Sequence, residues 1–200
     1  MVLTCCLPRV STSSATRCAA ETSNTIPRTR TSRAKPLRQR SGAYRKTAFR
    51  RVRSTLPAGY IRGIQSQGVG TSIKHFAANN QELNRLYLEA RVSPRALREL
   101  YLRNFEIAIK ESDPWTVMTS YNYINGTLAA ENHDLATGVL REDWGYKGLV
   151  MTDWAAGVYA DKIVASGNDL IQPGSDAHYN RLVQAMNEGS IPMAAIDTAV

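Results

Sequence analysis

The chain has 200 residues and a formal net charge of +8, from 25 Lys and Arg against 17 Asp and Glu. That length suits one domain with a sizeable core, and no run approaches the roughly 20 apolar residues of a membrane-crossing helix. The charge is uneven. Residues 1–56 hold 13 basic residues and one acid, Glu21, for a net +12, whereas residues 57–200 hold 12 basic and 16 acidic residues, for a net −4.

Cys5, Cys6 and Cys18 are the three cysteines. Crowded into a polar tail, they suit neither a disulfide framework nor a zinc ligand set. Residues 1–56 are rich in Ser, Thr and Arg and keep no period of 2 or 3.6. Such a segment buries too little apolar surface to offset chain entropy, so disorder is expected. It reads as a basic nucleic-acid-binding arm, an Arg- and Ser-rich transit peptide, a plain disordered tail or a mis-called stretch of coding sequence. The abrupt change of composition near Pro57-Ala58-Gly59-Tyr60, in mid-element, favours the last. The opening apolar run is too short for a secretory signal, with Arg9 close behind. Secreted, periplasmic and cytoplasmic placement all stay open.

From Tyr60 the pattern becomes that of a folded domain, residues 57–200. Tyr60 to Ser66 closes a helix, and Gly68-Val69-Gly70 turns into a strand that ends at Lys74-His75-Phe76. A polar loop over 77–91 follows. Ser93-Pro94 is a helix start, with Ser as N-cap and Pro at the first helical position. Leu97, Leu100, Tyr101, Phe105, Ala108 and Ile109 then form one apolar stripe. Trp115 to Tyr121 is the next strand, and Asn125-Gly126 turns its loop. A helix over 132–143 leads to the strand Leu149-Val150-Met151, which ends at Asp153 and Trp154. Further elements are a short helix near 159–166, a strand Asp169-Leu170-Ile171, a helix over 176–188 stopped by Gly189, and a last helix from Pro192. Strand and helix alternate about four times with connections that allow only crossovers. The expected fold class is therefore α/β, with a parallel sheet that is open or closed into a barrel.

Three consecutive strands thus deliver polar groups to one rim: Lys74 and His75, then Tyr121 with Asn122, then Asp153 and Trp154. The carboxyl ends of parallel strands are where α/β proteins hold reacting groups. Cations and an imidazole donate to hydroxyls, an indole offers a flat face to a sugar ring, and a carboxylate among donors stays ionised, as a nucleophile must. Each residue has a blander reading as well: Lys74 as a solvated charge, His75 as a satisfied strand-end histidine, Tyr121 as a core ring, Asp153 as a cap of the next turn.

The runs Lys74-His75-Phe76-Ala77-Ala78-Asn79-Asn80-Gln81-Glu82 with Asn84-Arg85, Met118-Thr119-Ser120-Tyr121-Asn122 with Asn125-Gly126, and Val150-Met151-Thr152-Asp153-Trp154 resemble the catalytic barrel domain of glycoside hydrolase family 3. The resemblance covers residues 60–200. It implies a partial (β/α)8 TIM-type barrel of about four βα units and a β-glucosidase-like, exo-acting retaining glycosidase that hydrolyses O-glycosyl bonds. Asp153 would be the nucleophile. Lys74, His75, Arg85 and Tyr121 would grip sugar hydroxyls, and Trp154 would border the leaving-group site. The implied partner is a β-linked glucoside or oligosaccharide, its sugar left open, with no cofactor and no metal.

The family's acid/base Glu comes in most members from a following α/β sandwich domain, and its sugar-site Arg from a motif resembling Gly-Arg-Asn-Phe-Glu with Ser-Glu-Asp-Pro. Neither stands in this sequence. Glu82, Glu131 and Asp169 are the other carboxylates near the rim, and no motif marks any of them as the acid. The expectation is a fragment that is inactive or nearly so. Two other classes compete: a non-catalytic binder of nucleic acid or acidic surfaces through the basic tail, and a Schiff-base aldolase using Lys74. No Gly-rich phosphate loop is present, and His75, His133 and His178 are too scattered to suggest a shared metal.

Overall fold

The computed structural model describes residues 2–6, 56–157 and 159–199, the first of these as backbone. The disorder expected for residues 1–56 therefore falls almost wholly outside the described residues. The parts within them are β1 (Val2–Cys6), a strand that the composition does not announce, and Leu56, which opens a helix.

Helix α1 spans 56–65 and leads into β2 (Gly70–Phe76). β3 (Glu89–Ala90) is a two-residue strand inside the expected loop. One continuous helical run follows: α2 (Pro94–Ala96), a π-wound stretch Leu97–Leu102, and α3 (Arg103–Ser112). β4 (Thr116–Thr119) comes next, then a hairpin of β5 (Tyr123–Ile124) and β6 (Thr127–Leu128). A π-wound helix (Asp134–Asp143) precedes β7 (Leu149–Met151), and α4 (Ala160–Ser166), α5 (Asp176–Glu188) and α6 (Met193–Ala199) complete the chain.

The main sheet has the order β1-β2-β4-β7. β2, β4 and β7 are parallel neighbours, and β1 lies antiparallel on the outer side of β2. The architecture is mixed α/β. The strand expected at 169–171 is reduced to one parallel bridge between Met151 and Leu170. Three of the four expected parallel strands are thus formed as strands. The hairpin and β3 make a separate three-stranded sheet.

Local chemistry explains most boundaries. Ser93 caps α2 by accepting from the Ala96 amide, with Pro94 in the first turn. Gly189 ends α5 in the left-handed region at φ 67° and sends its amide back to the Ala185 and Met186 carbonyls. Asn125 and Gly126, at φ 50° and 90°, supply the two positive angles a two-residue hairpin turn requires. The Asn125 side chain also brackets Val92, accepting from its amide and donating to its carbonyl, both at 2.9 Å.

The core packs the helices on the sheet. Ile73, Phe76, Phe105, Ala108, Val117, Leu140 and Val150 belong to one buried cluster. Phe76, at the end of β2, meets Phe105 edge-on at 5.2 Å and Trp144 at 5.9 Å, so one ring ties the strand end to both neighbouring helices. The expected stripe needs one correction. Leu100 is 64% exposed, and Leu102 is buried instead, because the π-wound turn rotates this part of the helix away from a 3.6-residue period.

Candidate active site

β2 does not keep register to its end. Ile73 pairs with Val117 and Phe76 with Thr119, so three steps on β2 oppose two on β4. The extra residue falls at Lys74-His75, the bulge that re-aims a strand's side chains. The Lys74-His75 and Phe76-Ala77 peptide bonds are cis. Two strands away, β7 runs out at Met151 and the chain turns at once. The Ala156 amide bonds back to the Asp153 carbonyl, with Ala155 between them at φ 58°. The segment after Leu170 holds this turn from outside. The Thr152 amide donates to the Leu170 carbonyl at 3.0 Å, the Gln172 amide to the Thr152 hydroxyl at 2.8 Å, and the Ala155 amide to the Gln172 carbonyl at 2.6 Å.

These two strand ends bring His75 and Asp153 together. The imidazole Nε2 lies 3.1 Å from Asp153 Oδ2. The approach is electrostatic rather than an aligned hydrogen bond, and Oδ2 is buried without an aligned donor among the described residues. Oδ1 accepts from the Trp154 amide at 2.7 Å. Burial alone would push the Asp153 carboxyl up. The His75 imidazole, the Trp154 amide and the Tyr121 hydroxyl together outweigh it and hold the group below the usual carboxylate range. Asp153 is thus an ionised carboxylate only 8% exposed.

The other expected residues gather around this pair to different degrees. Tyr121 donates its hydroxyl to the Trp154 carbonyl at 2.8 Å, which ties the loop after β4 to the loop after β7. Burial first, then the Asp153 charge, raise its phenol above the ordinary range. The Arg85 guanidinium lies 5.1 Å from the centre of the Tyr121 ring and pairs with Glu82 at 2.8 Å. Trp154 is 64% exposed, its indole in position to serve as an open face. Lys74 and His75 line a cavity of about 370 Å³ together with Asn79, Asn80, Glu82 and Tyr101. Asn79 contributes two buried amide atoms with no partner among the described residues.

Asn122 does not reach the rim. It is fully buried and donates to the Ala77 and Tyr123 carbonyls. Of the other carboxylates, Glu82 holds Arg85, Glu131 accepts from the Tyr159 amide, and Asp169 accepts from Arg141 and the Val150 amide. A larger cavity, about 490 Å³, lies between Leu97–Leu102 and Asp134–Asp143. Arg98 and Asp143 in its lining pair at 2.6 Å, and Asp153 and His75 are not among its walls. It lies between helices, whereas the His75–Asp153 pair lies at the strand ends. Among the described residues no group of three His, Cys, Asp or Glu could hold a metal ion, and no helix is long and apolar enough to cross a membrane.

The site is thus an ionised, half-enclosed carboxylate at a strand end, with an imidazole at 3.1 Å and a phenol beside it. Residues 48–200 match the glycosyl hydrolase family 3 N terminal domain. The chain belongs to that family. The match begins upstream of the composition break near Pro57. Among family 3 relatives, the chain is 50% identical over 139 residues to an exo-alpha-(1→6)-L-arabinopyranosidase of Bifidobacterium breve (strain ACS-071-V-Sch8b), covering 70% of this chain and 18% of that protein. It is 51% identical over 119 residues to beta-glucosidase B of Emericella nidulans, covering 60% of this chain and 14% of the other. Among solved structures, beta-glucosidase 3B from Thermotoga neapolitana in complex with glucose superposes with a TM-score of 0.69 at 45% identity, over 71% of this chain and 21% of that one. The chain therefore spans about a fifth of the length of these family 3 proteins.

Proposed function

We propose that this chain carries the nucleophile half of a retaining, exo-acting β-glycosidase site, of β-glucosidase type, on part of a (β/α)8 barrel. The observation that carries the proposal is the His75–Asp153 pair: a carboxylate kept ionised against its own burial, 3.1 Å from an imidazole, at the carboxyl ends of parallel strands. In a retaining mechanism such a carboxylate attacks the anomeric carbon, the bond to the leaving oxygen breaks, and a glycosyl-enzyme ester forms that water later hydrolyses. Asp153 takes that role. His75 and Lys74 donate to sugar hydroxyls, Arg85 and Tyr121 close the same side, and the indole of Trp154 borders the leaving group. The substrate is a β-linked glucoside or oligosaccharide, by analogy with relatives named as β-glucosidases.

Retention also needs a second carboxyl about 5 Å from the nucleophile, acting as acid and then base. Glu82, Glu131 and Asp169 are each engaged elsewhere, and in this reading the acid comes from a following α/β sandwich domain, as the resemblance to family 3 implies. This division sets the test. A 2-deoxy-2-fluoro-β-glucoside bearing a dinitrophenolate leaves without protonation, so it reacts with a nucleophile whose acid partner is absent. Mass spectrometry of the 200-residue chain should find one fluorodeoxyglucosyl group on the peptide containing Asp153 and none in Asp153→Asn. An unactivated aryl β-glucoside should be hydrolysed at close to the background rate. Label on another residue would defeat the assignment of Asp153. Brisk hydrolysis of the unactivated glucoside would place the acid within this chain.

A further inference from the structure

The backbone that presents Lys74 and His75 leaves the β-ladder where it matters most. Between Ile73 and Phe76 the register with β4 slips by one residue, and at Ala78 the chain passes through φ 59°. A bulged segment loses part of the ladder that would hold it, yet Phe76, Ala77 and Ala78 are all buried, where unpaired backbone groups are costly. One backbone amide and two side chains from the loop after β4 take over. The Ser120 amide donates to the Phe76 carbonyl at 2.9 Å. The Ser120 hydroxyl donates to the Ala77 carbonyl at 2.9 Å, and the Asn122 amide donates to the same carbonyl at 3.3 Å. Both side chains are fully buried. Asn122 carries a cost, because its Oδ1 is buried with no partner among the described residues. An apolar residue filling the same space would avoid that cost.

We infer that Ser120 and Asn122 are positioning residues, which clamp the Ala77 carbonyl and thereby hold the bulge that carries Lys74 and His75, with His75 in place against Asp153. The clamp spans adjacent strands, and with the Ser120 amide on the Phe76 carbonyl it fixes the backbone immediately after Lys74 and His75. Tyr121, between the two clamp residues, points its hydroxyl to the Trp154 carbonyl. One tripeptide, Ser120-Tyr121-Asn122, therefore fixes the loop after β2 with its outer members and the loop after β7 with its middle one. The inference rests on the glycosidase reading for its purpose, though not for its geometry.

The experiment uses the 200-residue chain and three variants: Ser120→Ala, Asn122→Leu and the hydroxyl-retaining Ser120→Thr. One arm follows the Asp153 carboxyl carbon by NMR as pH is varied. The groups that bear on it are His75, Tyr121, the Trp154 amide and, more remotely, Arg85. With the clamp gone, His75 withdraws and burial dominates, so the carboxyl should titrate at higher pH in Ser120→Ala and Asn122→Leu and at the wild-type position in Ser120→Thr. The second arm measures D-glucose binding by calorimetry, which should weaken about ten-fold or more in the same two variants, since small misplacements of a positioned group cost on that scale. An unmoved carboxyl in a Ser120→Ala chain that melts like the wild type overturns the inference, as does an equal movement in Ser120→Thr. If Asn122→Leu does not fold, Ser120→Ala, which loses a single hydroxyl, decides alone. A wild-type chain that binds no D-glucose defeats the sugar reading, while the NMR arm still decides the clamp.

Discussion

Asp153 shows how one residue's chemistry is set by its neighbours. Burial favours the neutral acid, and the imidazole, one backbone amide and a phenol reverse that preference. A carboxyl held below its ordinary value binds fewer protons folded than unfolded. Its contribution to stability is therefore present above about pH 4, the unfolded value, and is lost as pH falls through the folded one. His75→Ala leaves burial opposed by less, so the Asp153 carboxyl should titrate at higher pH than in the wild type. The gain in urea-unfolding stability between pH 3 and pH 6 should shrink accordingly. An Asp153 titration that ignores the loss of His75 would show the 3.1 Å approach to be of no electrostatic consequence. Asp153 and His75 were legible as site candidates because each closes an apolar run. Their pairing was not, since 78 positions separate them and the contact depends on β2 and β7 ending at the same edge of the sheet with β4 between them.

At the scale of elements, β7 is held by one ion pair. Arg141, in the π-wound helix, meets Asp169 at 2.6 Å and also donates to the Gly148 carbonyl at 2.8 Å. Asp169 Oδ2 accepts from the Val150 amide as well. Helix, strand and the following segment thus share one set of bonds around the strand that carries Asp153. Asp169→Ala would strand a half-buried guanidinium and an amide, and should cost about 3 kcal/mol in urea unfolding. Arg141→Met in the Asp169→Ala background should recover part of that loss, because the charge left without a partner is gone. Purely additive costs would mean the pair is not coupled. Most element boundaries were readable from capping and turn residues, as at Ser93-Pro94, Asn125-Gly126 and Gly189. The reduction of 169–171 to a bridge was not, because Asp169 spends its side chain on Val150 and Arg141, a long-range choice that composition does not encode.

Across the whole molecule, apolar burial falls into two clusters of unequal size. The larger gathers β2, β4, β7 and the helices packed on them. The smaller joins α4 and α5 through Val164, Ala185 and, in the loop after α5, Ile191, with Ala195, Ile196 and Ala199 of α6 packed against it, and Asp161 and Arg181 are bonded twice, at 3.0 and 2.9 Å, between α4 and α5. Local opening follows the amount of buried contact. Backbone amides of 176–199 should therefore exchange with deuterium before those of 70–76, 116–119 and 149–151. Simultaneous exchange of both sets would mean that the molecule opens as one cooperative unit.

The family was legible along the chain in the runs 74–85, 118–126 and 150–154, and Lys74-His75, Tyr121 and Asp153-Trp154 stood out as site candidates because a strand's end and its following loop are local properties. The burial of Asn122 and the exposure of Leu100 were decided by tertiary structure alone. A hydrogen bond from Asn122 to the Ala77 carbonyl and the rotation of a π-wound turn both depend on how separate elements meet, and spacing within one element carries no record of that.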